Sequence, residues 1–259
     1  MKIKKIGNLE IRIFFNLEEL SRHAAQIFAS ESKKIIELNN IFTVSLSGGS
    51  TPKRLFELLA ADFKNVIDWQ KVHVFWGDER ERKDNPESNF QLAFKTWLEK
   101  IIKEEPSFKK NVHRIKIELG LTEGAKDYAN QLNKWAPDGF DLAFNGAGPD
   151  GHRNGIMPEN PNINWKNEIW ELPESIKVWG YNIPPEINPC SERITITPWF
   201  LNNSKINTLM LSEEEKADLL RKIAIGKGKY TKRELPAITF TDVPTIVLAD
   251  KTAASQLSF

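Results

Sequence analysis

Residues 140–158, with the sequence FDLAFNGAGPDGHRNGIMP, constrain the fold more than any other part of the chain. The opening apolar run, FDLAF, is bounded by turn residues, which is typical of a buried parallel strand. The glycines that follow allow backbone conformations in which N–H groups turn toward a ligand. Asp150 and His152 lie in this turn, at the end of the predicted strand where open α/β sheets bind ligands. A carboxylate and an imidazole so close together predict an acid–base site there.

Two other predicted strands end in a similar way. Residues 41–46 run into SGGSTP, where Thr51 is expected to cap the next helix and Pro52 suits its first turn. Free N–H groups and the helix dipole favour a phosphate at such a turn, although an ordinary βα connection has the same outline. Residues 72–76 run into GDER, where Arg80 either clamps a phosphate or carboxylate or belongs to a solvated run of charges. Because parallel strands end at a common edge of the sheet, these turns are predicted to form one site with the histidine turn.

Strands alternate with helices along the chain, which favours βαβ units and a mostly parallel sheet. The predicted strands cover residues 9–15, 41–46, 72–76, 112–117, 140–144, 176–183, 193–197, 206–211 and 245–249. The predicted helices cover residues 17–38 after the cap Asn16, the segment from Pro52, 88–103, 122–135 with Thr122 as cap, 213–225 before Gly226, and 251–257. Residues 159–174 lack a clear period and are predicted to be a loop. The prediction is one α/β domain spanning residues 1–259.

The composition argues against several classes of protein. The net charge is +1, so the overall charge favours neither nucleic acid nor an anionic membrane, and neither is expected as a partner. Cys190 is the only cysteine, which rules out an internal disulfide and fits a reducing compartment. The sequence has no run of about 18 apolar residues, and its N-terminal segment is a poor signal peptide. We therefore expect a cytoplasmic protein that is a monomer or a weak homodimer.

The other candidate motifs are weaker. The spacing of Gly146, Gly148 and Gly151 matches a dinucleotide fingerprint, but Pro149 interrupts it and no convincing helix follows. No grouping of His, Asp and Glu has zinc-ligand spacing, so no metal is expected. Structural roles are expected for the histidines within predicted helices and strands, which are His23, His73 and His113.

Six short motifs occur in order along most of the chain: SLSGGSTP (45–52), WGDER (76–80), NPESNF (85–90), GAGPDGH (146–152), SERIT (191–195) and EEEKA (213–217). Together they resemble the 6-phosphogluconolactonase family, within the wider glucosamine-6-phosphate isomerase-like superfamily. The resemblance implies an α/β fold with a Rossmann-like, mostly parallel sheet flanked by helices. It also implies hydrolysis of 6-phosphogluconolactone, the second step of the oxidative pentose phosphate pathway, without a metal or organic cofactor.

The resemblance also implies roles for individual residues. His152 would be the catalytic base, with Asp150 beside it and Arg80 as a catalytic cation. The residues that would hold phosphate are Gly48, Gly49, Ser50 and Thr51. The further substrate-binding residues that it implies are Asp78, Gly148, Arg193 and Lys216.

The chain departs from the family pattern at two places. After the Gly-His pair the family usually has Thr-Ala-Ser-Leu-Phe-Pro, whereas residues 153–158 of this chain are Arg-Asn-Gly-Ile-Met-Pro. After the Asp-Glu-Arg motif, the polar residues 81–84 replace the usual hydrophobic residue and proline. Arg153 is expected either to contact the sugar acid or to point to solvent beside the pocket.

Four functions are compatible with these residues. In a lactonase, His152 would take a proton from the water that attacks the lactone carbonyl, and a cation such as Arg80 would steady the oxyanion. The runner-up is an amino-sugar-phosphate isomerase/deaminase. Its pattern has a glutamate five residues after the histidine, where this chain has Met157, and Glu159 comes two residues late. A non-catalytic sugar-phosphate sensor is the third, and a dinucleotide-dependent oxidoreductase is the last.

Overall fold

The computed structural model describes residues 1–80 and 88–257 of the chain. Its strands in these ranges are β1 (Lys2–Ile6), β2 (Leu9–Phe14), β3 (Phe42–Leu46), β4 (Val72–Trp76), β5 (Asp78–Arg80), β6 (Leu142–Asn145), β7 (Val178–Asn182), β8 (Glu192–Ile196), β9 (Ile206–Leu211) and β10 (Thr245–Asp250). Its α-helices are α1 (Leu17–Asn39), α2 (Ser50–Ala61), α3 (Asn89–Ala93), α4 (Glu99–Glu104), α5 (Leu121–Trp135), α6 (Pro198–Asn202) and α7 (Ala217–Ile225).

Seven of the described strands form the central sheet, in the order β1-β2-β10-β9-β6-β3-β4. All neighbours are parallel except β1 and β2, which form an antiparallel hairpin at one edge. The predicted α/β fold with a mostly parallel sheet is therefore confirmed. Strand β1, which is not among the predicted strands, is largely exposed and is held by its pairing with β2 rather than by burial of apolar side chains.

Apolar side chains cover both faces of the central sheet. The larger cluster packs α1, α2 and α5 against one face and includes Phe28 and Val44. The smaller cluster packs α7 against the other face and includes Leu220 and Val247. Strands β3 and β4 are buried along their whole length, as expected for parallel strands covered on both sides. Side chains that contact a ligand must therefore lie at the ends of these strands.

A second sheet of three antiparallel strands, β5-β8-β7, begins where β4 ends. Gly77 separates β4 from β5, so the GDER segment changes sheet at this point. The strands predicted for residues 176–183 and 193–197 are confirmed as β7 and β8, although nothing in their sequence shows that they leave the central sheet. The pairing of β5 with β8 sets Arg80 opposite Arg193.

The starts of α1 and α2 differ in how they are capped. Asn16 caps α1 as predicted, because its side-chain oxygen accepts a hydrogen bond from the Glu19 N–H at 3.0 Å. Helix α2 begins at Ser50, so Thr51 lies within its first turn and is not the predicted cap. Gly49 takes the cap position with a φ of 95°, a conformation that glycine adopts without strain.

The other predicted helices are largely present. The helix predicted for residues 88–103 is confirmed as α3 and α4 with a π-helical turn between them. The helix predicted for residues 213–225 is confirmed as a 3₁₀ turn followed by α7, which ends at Gly226 as expected. Helix α5 has Gly120 at its cap position, so the prediction that Thr122 caps it is wrong.

Two predicted elements are wrong. Residues 112–117, all of them described, form no strand, since the segment contributes only a single bridge from Val112 to Val74 between two 3₁₀ turns. Its alternating burial arises from packing beside the edge of β4 without a hydrogen-bonded ladder. Residues 251–257 form successive turns instead of a helix, because two of their three backbone hydrogen bonds span three residues rather than four.

The remaining segments are short or irregular. Residues 159–174 lack regular structure, as predicted, apart from two 3₁₀ turns. The 3₁₀ helix Pro236–Thr241, which is not among the predicted helices, packs its apolar residues with α7. No helix in the described ranges is both long and apolar enough to cross a membrane.

Candidate active site

A cavity of about 200 Å³ lies at the carboxyl ends of β3, β4 and β6. Its lining includes most of the predicted site residues, which are Gly48, Gly49, Ser50, Thr51, Asp78, Arg80, Gly148, His152 and Lys216. The order β6-β3-β4 sets the three strand ends side by side, which confirms that their turns meet at one edge. The two other predicted residues stand behind this lining, Asp150 next to His152 and Arg193 next to Asp78.

One wall of the cavity is the amino end of α2. The chain enters this helix through Gly49, and within the described chain no side chain caps it. The first N–H groups of the helix are therefore available to a ligand, and the helix dipole adds positive potential there. Lys216 also lines the cavity, with its Nζ 3.2 Å from the Glu215 carboxylate. An uncapped helix end together with a lysine suits a phosphate dianion.

His152 and Asp150 form a hydrogen-bonded pair at the cavity. The His152 Nδ1 and Asp150 Oδ1 atoms are 2.7 Å apart, and the same oxygen accepts the His152 backbone N–H at 3.2 Å. In the neutral ring, this bond holds the proton on Nδ1 and leaves the lone pair on Nε2. Burial opposes ionisation of Asp150, but the hydrogen bond and charge of His152 outweigh it and hold the Asp150 pKa below its usual value. The pair therefore joins an ionised carboxylate to an imidazole that can accept a proton.

The absence of a side chain at Gly148 leaves space for the His152 imidazole. A Cβ atom on Gly148 would lie only 2.1 Å from the His152 ring, so a side chain at this position would displace the ring. The Gly148 N–H donates to the His152 carbonyl at 3.2 Å, and the Gly151 N–H donates to the Gly148 carbonyl at 2.9 Å. Ring and backbone are thus packed into one tight turn.

The central carboxylate of the GDER motif is structural. Glu79 is buried, and its Oε1 accepts the backbone N–H groups of Arg80 and Asn89 at 2.9 and 3.0 Å. Its Oε2 accepts two further hydrogen bonds from residues at the start of α3. Burial raises the pKa of Glu79 in spite of these bonds. Glu79 therefore ties β5 to α3, while its neighbours Asp78 and Arg80 line the cavity.

Asp78 is held from two sides. The Asn89 side-chain Nδ2 donates to the Asp78 backbone oxygen at 2.9 Å and to its carboxylate Oδ1 at 3.1 Å. On the other side, the Arg193 Nη1 lies 3.6 Å from Asp78 Oδ2. Arg193 is fully buried, and burial lowers its pKa. The structure therefore places this predicted substrate-binding cation against Asp78 and away from the cavity lining.

Both expectations for Arg153 are wrong. Its side chain has 0% exposure, so it does not point to solvent, and it is absent from the described lining of the cavity. Its guanidinium lies 4.2 Å from the centre of the Phe240 ring, and its Nη1 donates to the Thr239 hydroxyl at 2.9 Å. Burial lowers the pKa of Arg153 to about 9. The side chain turns away from the site because the unpredicted 3₁₀ helix 236–241 offers it an aromatic face and a hydroxyl.

Three asparagines line the cavity without having been predicted as site residues: Asn89, Asn145 and Asn154. Asn89 belongs to the NPESNF motif, of which residues 85–87 lie outside the described chain, as do the polar residues 81–84. Asn154 lies in the segment where the chain departs from the family pattern. The sequence could have pointed to Asn89 and Asn154, because each lies in a stretch already compared with the family. Nothing in the sequence distinguishes Asn145 from the apolar strand in which it lies.

Within residues 1–80 and 88–257, no three His, Cys, Asp or Glu side chains are grouped closely enough to hold a metal ion. Cys190, the only cysteine of the chain, is buried.

Comparison with known proteins assigns these features to a family. The sequence model of the glucosamine-6-phosphate isomerases/6-phosphogluconolactonase family matches residues 16–246. A relative from Arabidopsis thaliana, named probable 6-phosphogluconolactonase 2, is 31% identical over 264 residues, which cover 95% of each chain. The solved 6-phosphogluconolactonase from Thermotoga maritima is 25% identical, with a TM-score of 0.72 over 93% of this chain and 99% of its own.

The fold is also that of a monomeric glucosamine-6-phosphate deaminase. This structure has a TM-score of 0.72 over 95% of this chain and 99% of its own, at 20% sequence identity. The fold is therefore common to both activities, and the residues of the cavity must distinguish them.

Proposed function

Since the chain belongs to the glucosamine-6-phosphate isomerase/6-phosphogluconolactonase family, we propose that it hydrolyses 6-phosphogluconolactone to 6-phosphogluconate. This is the second step of the oxidative pentose phosphate pathway. The observation that carries the proposal is the His152–Asp150 pair, which meets the uncapped end of α2 in a single cavity. An acid–base group and an anion site in one cavity are what hydrolysis of a phosphorylated lactone requires.

In the proposed mechanism, the phosphate binds at the amino end of α2 near Lys216, and the lactone carbonyl lies toward His152. Nε2 takes a proton from a water molecule as the water oxygen bonds to the carbonyl carbon. Asp150 stabilises the imidazolium that forms, and Arg80 stabilises the oxyanion. When the tetrahedral intermediate collapses, the bond from this carbon to the ring oxygen breaks, and the imidazolium returns its proton to that oxygen.

The cavity lining supports the deaminase alternative less well. Met157, at the position of the deaminase glutamate, is a buried apolar residue. The Glu159 Oε1 accepts hydrogen bonds from the Arg233 Nη1 at 2.6 Å and from the Asn167 backbone N–H at 3.1 Å. Among the lining residues that the structure describes, Asp78 is the only carboxylate. The glutamate of the deaminase pattern therefore has no counterpart in the described lining.

One experiment separates the candidate functions. Hydrolysis of freshly generated 6-phosphogluconolactone is measured beside ammonia release from glucosamine 6-phosphate, with spontaneous lactone opening subtracted. We expect lactone hydrolysis and no ammonia, and a much lower kcat/KM for the unphosphorylated lactone, because remote phosphate binding orients the reacting carbon. Ammonia release without hydrolysis would establish the deaminase, and binding of 6-phosphogluconate without either activity would establish the sensor.

The proposal also covers the binding partners, cellular location and oligomeric state of the protein. A sugar phosphate is the expected small-molecule partner, and nucleic acid is not. We propose a cytoplasmic location, which is supported by the presence of a single cysteine in the chain, since proteins of reducing compartments rarely rely on disulfides. A monomer or weak homodimer remains our prediction for the oligomeric state.

A further inference from the structure

The loop that carries His152 begins and ends at one point of the structure. It leaves β6 through Gly146 and returns at Asn154. These two residues exchange hydrogen bonds in both directions, since the Gly146 N–H donates to the Asn154 Oδ1 at 3.0 Å and the Asn154 N–H donates to the Gly146 carbonyl at 3.0 Å. We call this reciprocal pair the loop clasp.

The clasp continues into the central sheet. The Asn154 Nδ2 donates to the Asn145 Oδ1 at 3.1 Å, and the Asn145 Nδ2 donates to the Thr208 carbonyl of β9 at 3.1 Å. Each amide uses its oxygen to accept and its nitrogen to donate, so neither can rotate without losing a bond. The loop clasp is therefore fixed to two neighbouring strands.

The backbone at Asn154 is adapted to this role. Its φ is 49°, in the left-handed region that asparagine tolerates better than most residues. Its buried side chain packs against the turn after β4, since a Cβ atom on Gly77 would lie 2.7 Å from the Asn154 Nδ2. The family pattern noted above has alanine at this position, which has no amide to form the clasp.

We propose that Asn154 is a positioning residue, whose amide holds the His152 loop so that Nε2 stays directed at the reacting carbon. This inference rests on the proposed lactonase function. Asp150 cannot supply the same anchor, because it lies inside the loop and its side chain is 48% exposed. A general base must stay within hydrogen-bond reach of the attacking water, so a loop that shifts by about 1 Å loses rate rather than affinity.

Two substitutions distinguish the role of the Asn154 side-chain amide from that of its backbone conformation. Asn154→Gly keeps the left-handed backbone and the Asn154 N–H, but removes the side chain. Asn154→Asp keeps an oxygen to accept the Gly146 N–H and loses the donor to Asn145. Asn164→Gly is the matched control, since Asn164 has the same φ of 49° but is exposed and at the end of a 3₁₀ turn.

The expected readout is a split between turnover and binding. Asn154→Gly should lower kcat about 10- to 100-fold, with an intermediate loss for Asn154→Asp. The Kd for 6-phosphogluconate, measured by isothermal titration calorimetry, should stay within about 3-fold, because the phosphate is held by α2. Asn164→Gly should match the wild type. A kcat within about 2-fold of wild type for Asn154→Gly would overturn the proposal, as would equal losses in kcat and affinity.

A second measurement does not depend on turnover. In a protein with ¹⁵N-labelled histidine, the neutral His152 ring should be the Nδ1–H tautomer in the wild type and in Asn164→Gly. In Asn154→Gly the tautomer ratio should shift or the signal should broaden. If the wild type opens no lactone, the proposed function fails while this measurement still tests the clasp. An unchanged His152 signal in Asn154→Gly would refute the positioning role, whether or not the enzyme hydrolyses the lactone.

Discussion

Among the side-chain pairs with histidine that the structure describes, two differ sharply in partner and in exposure. His152 bonds to the Asp150 carboxylate beside the cavity and is 25% exposed. His73 bonds to a second imidazole, with its Nδ1 3.0 Å from the His113 Nε2, and is 3% exposed. The first pair can gain and share a proton, whereas the second is arranged to stay neutral.

The surroundings of the buried pair account for this difference. The His113 Nδ1 donates to the Gln131 Oε1 at 3.2 Å, so its Nε2 is left to accept the proton of His73. The aromatic rings of Trp135 and Phe75 pack against the two imidazoles. Burial lowers the pKa of each histidine to about 4, and the charge of nearby lysines acts in the same direction. The comparison shows that imidazole chemistry in this fold is set by the partner and by access to water.

Removing the exposed imidazole should have the largest effect on activity. His152→Ala should lower kcat/KM for 6-phosphogluconolactone about 10²- to 10⁴-fold, the usual scale of general-base catalysis. Binding of 6-phosphogluconate should survive, because phosphate is held elsewhere. The measurement is a lactonase assay corrected for spontaneous opening, with titration of the product. Near-normal turnover in the variant would make His152 a structural residue like His73.

Changing the partner of His152 tests the carboxylate side of the comparison. Asp150→Asn keeps an oxygen for the Nδ1–H but removes the charge that stabilises the imidazolium. We expect kcat to fall about 10- to 1,000-fold with little change in product affinity. Steady-state kinetics beside product titration would show this, and an equal loss of affinity would mean that Asp150 binds substrate directly.

The buried pair should make the protein sensitive to acid. Because the pKa of each histidine is lower in the folded chain than its usual 6.5, the unfolded chain takes up protons first as the pH falls. The free energy of unfolding should therefore be intact above about pH 6.5. It should decline by roughly 3 kcal/mol for each histidine of the pair as the pH falls to about 4.

Urea unfolding from pH 7 to pH 4.5 measures this decline. His73→Phe removes one titrating ring from the aromatic stack, so its stability should fall less steeply with acid than that of the wild type. Asn164→Gly, which changes no titrating side chain, is the control and should keep the wild-type slope, since surface carboxylates contribute equally to all three proteins. Equal slopes in all three proteins would show that the buried pair does not control acid stability.

The smallest effect on specificity is expected at the residue next to His152. Arg153 shares the turn with the catalytic pair, but its guanidinium packs on Phe240, away from the cavity. Arg153→Thr should change the ratio of kcat/KM between 6-phosphogluconolactone and its unphosphorylated analogue by less than about 2-fold. Kinetics with both lactones provide this ratio, and a larger shift would mean that the arginine reaches the substrate.

Much of the candidate site could be predicted because it consists of local signals. The glycine turns that follow β3 and β6 and the GDER segment after β4 carry most of the residues that line the cavity. The side-chain partners could not be predicted in the same way. The burial of Arg193 against Asp78 depends on the antiparallel pairing of β5 with β8, which joins residues far apart in sequence.

Residues 112–117 show the same limit for the fold. Their alternating pattern is compatible with a strand, and burial does alternate along them, but they form only a single β-bridge to β4, between Val112 and Val74. An alternating pattern of burial indicates which side chains face the core. A strand also needs a neighbouring backbone close enough to form the hydrogen bonds of a β-ladder. That distance is set by elements elsewhere in the chain.

The sequence by itself determined the alternation of strands and helices, the glycine turns at the strand ends and the nearness of His152 to Asp150. These features depend on backbone preferences and on residues close together in the chain. The tertiary structure alone decided that Arg153 is buried, that Glu79 ties β5 to α3, and that the loop clasp joins the histidine loop to the sheet. The physical reason is that each of these outcomes depends on which distant groups are close enough to satisfy a buried charge or a hydrogen bond.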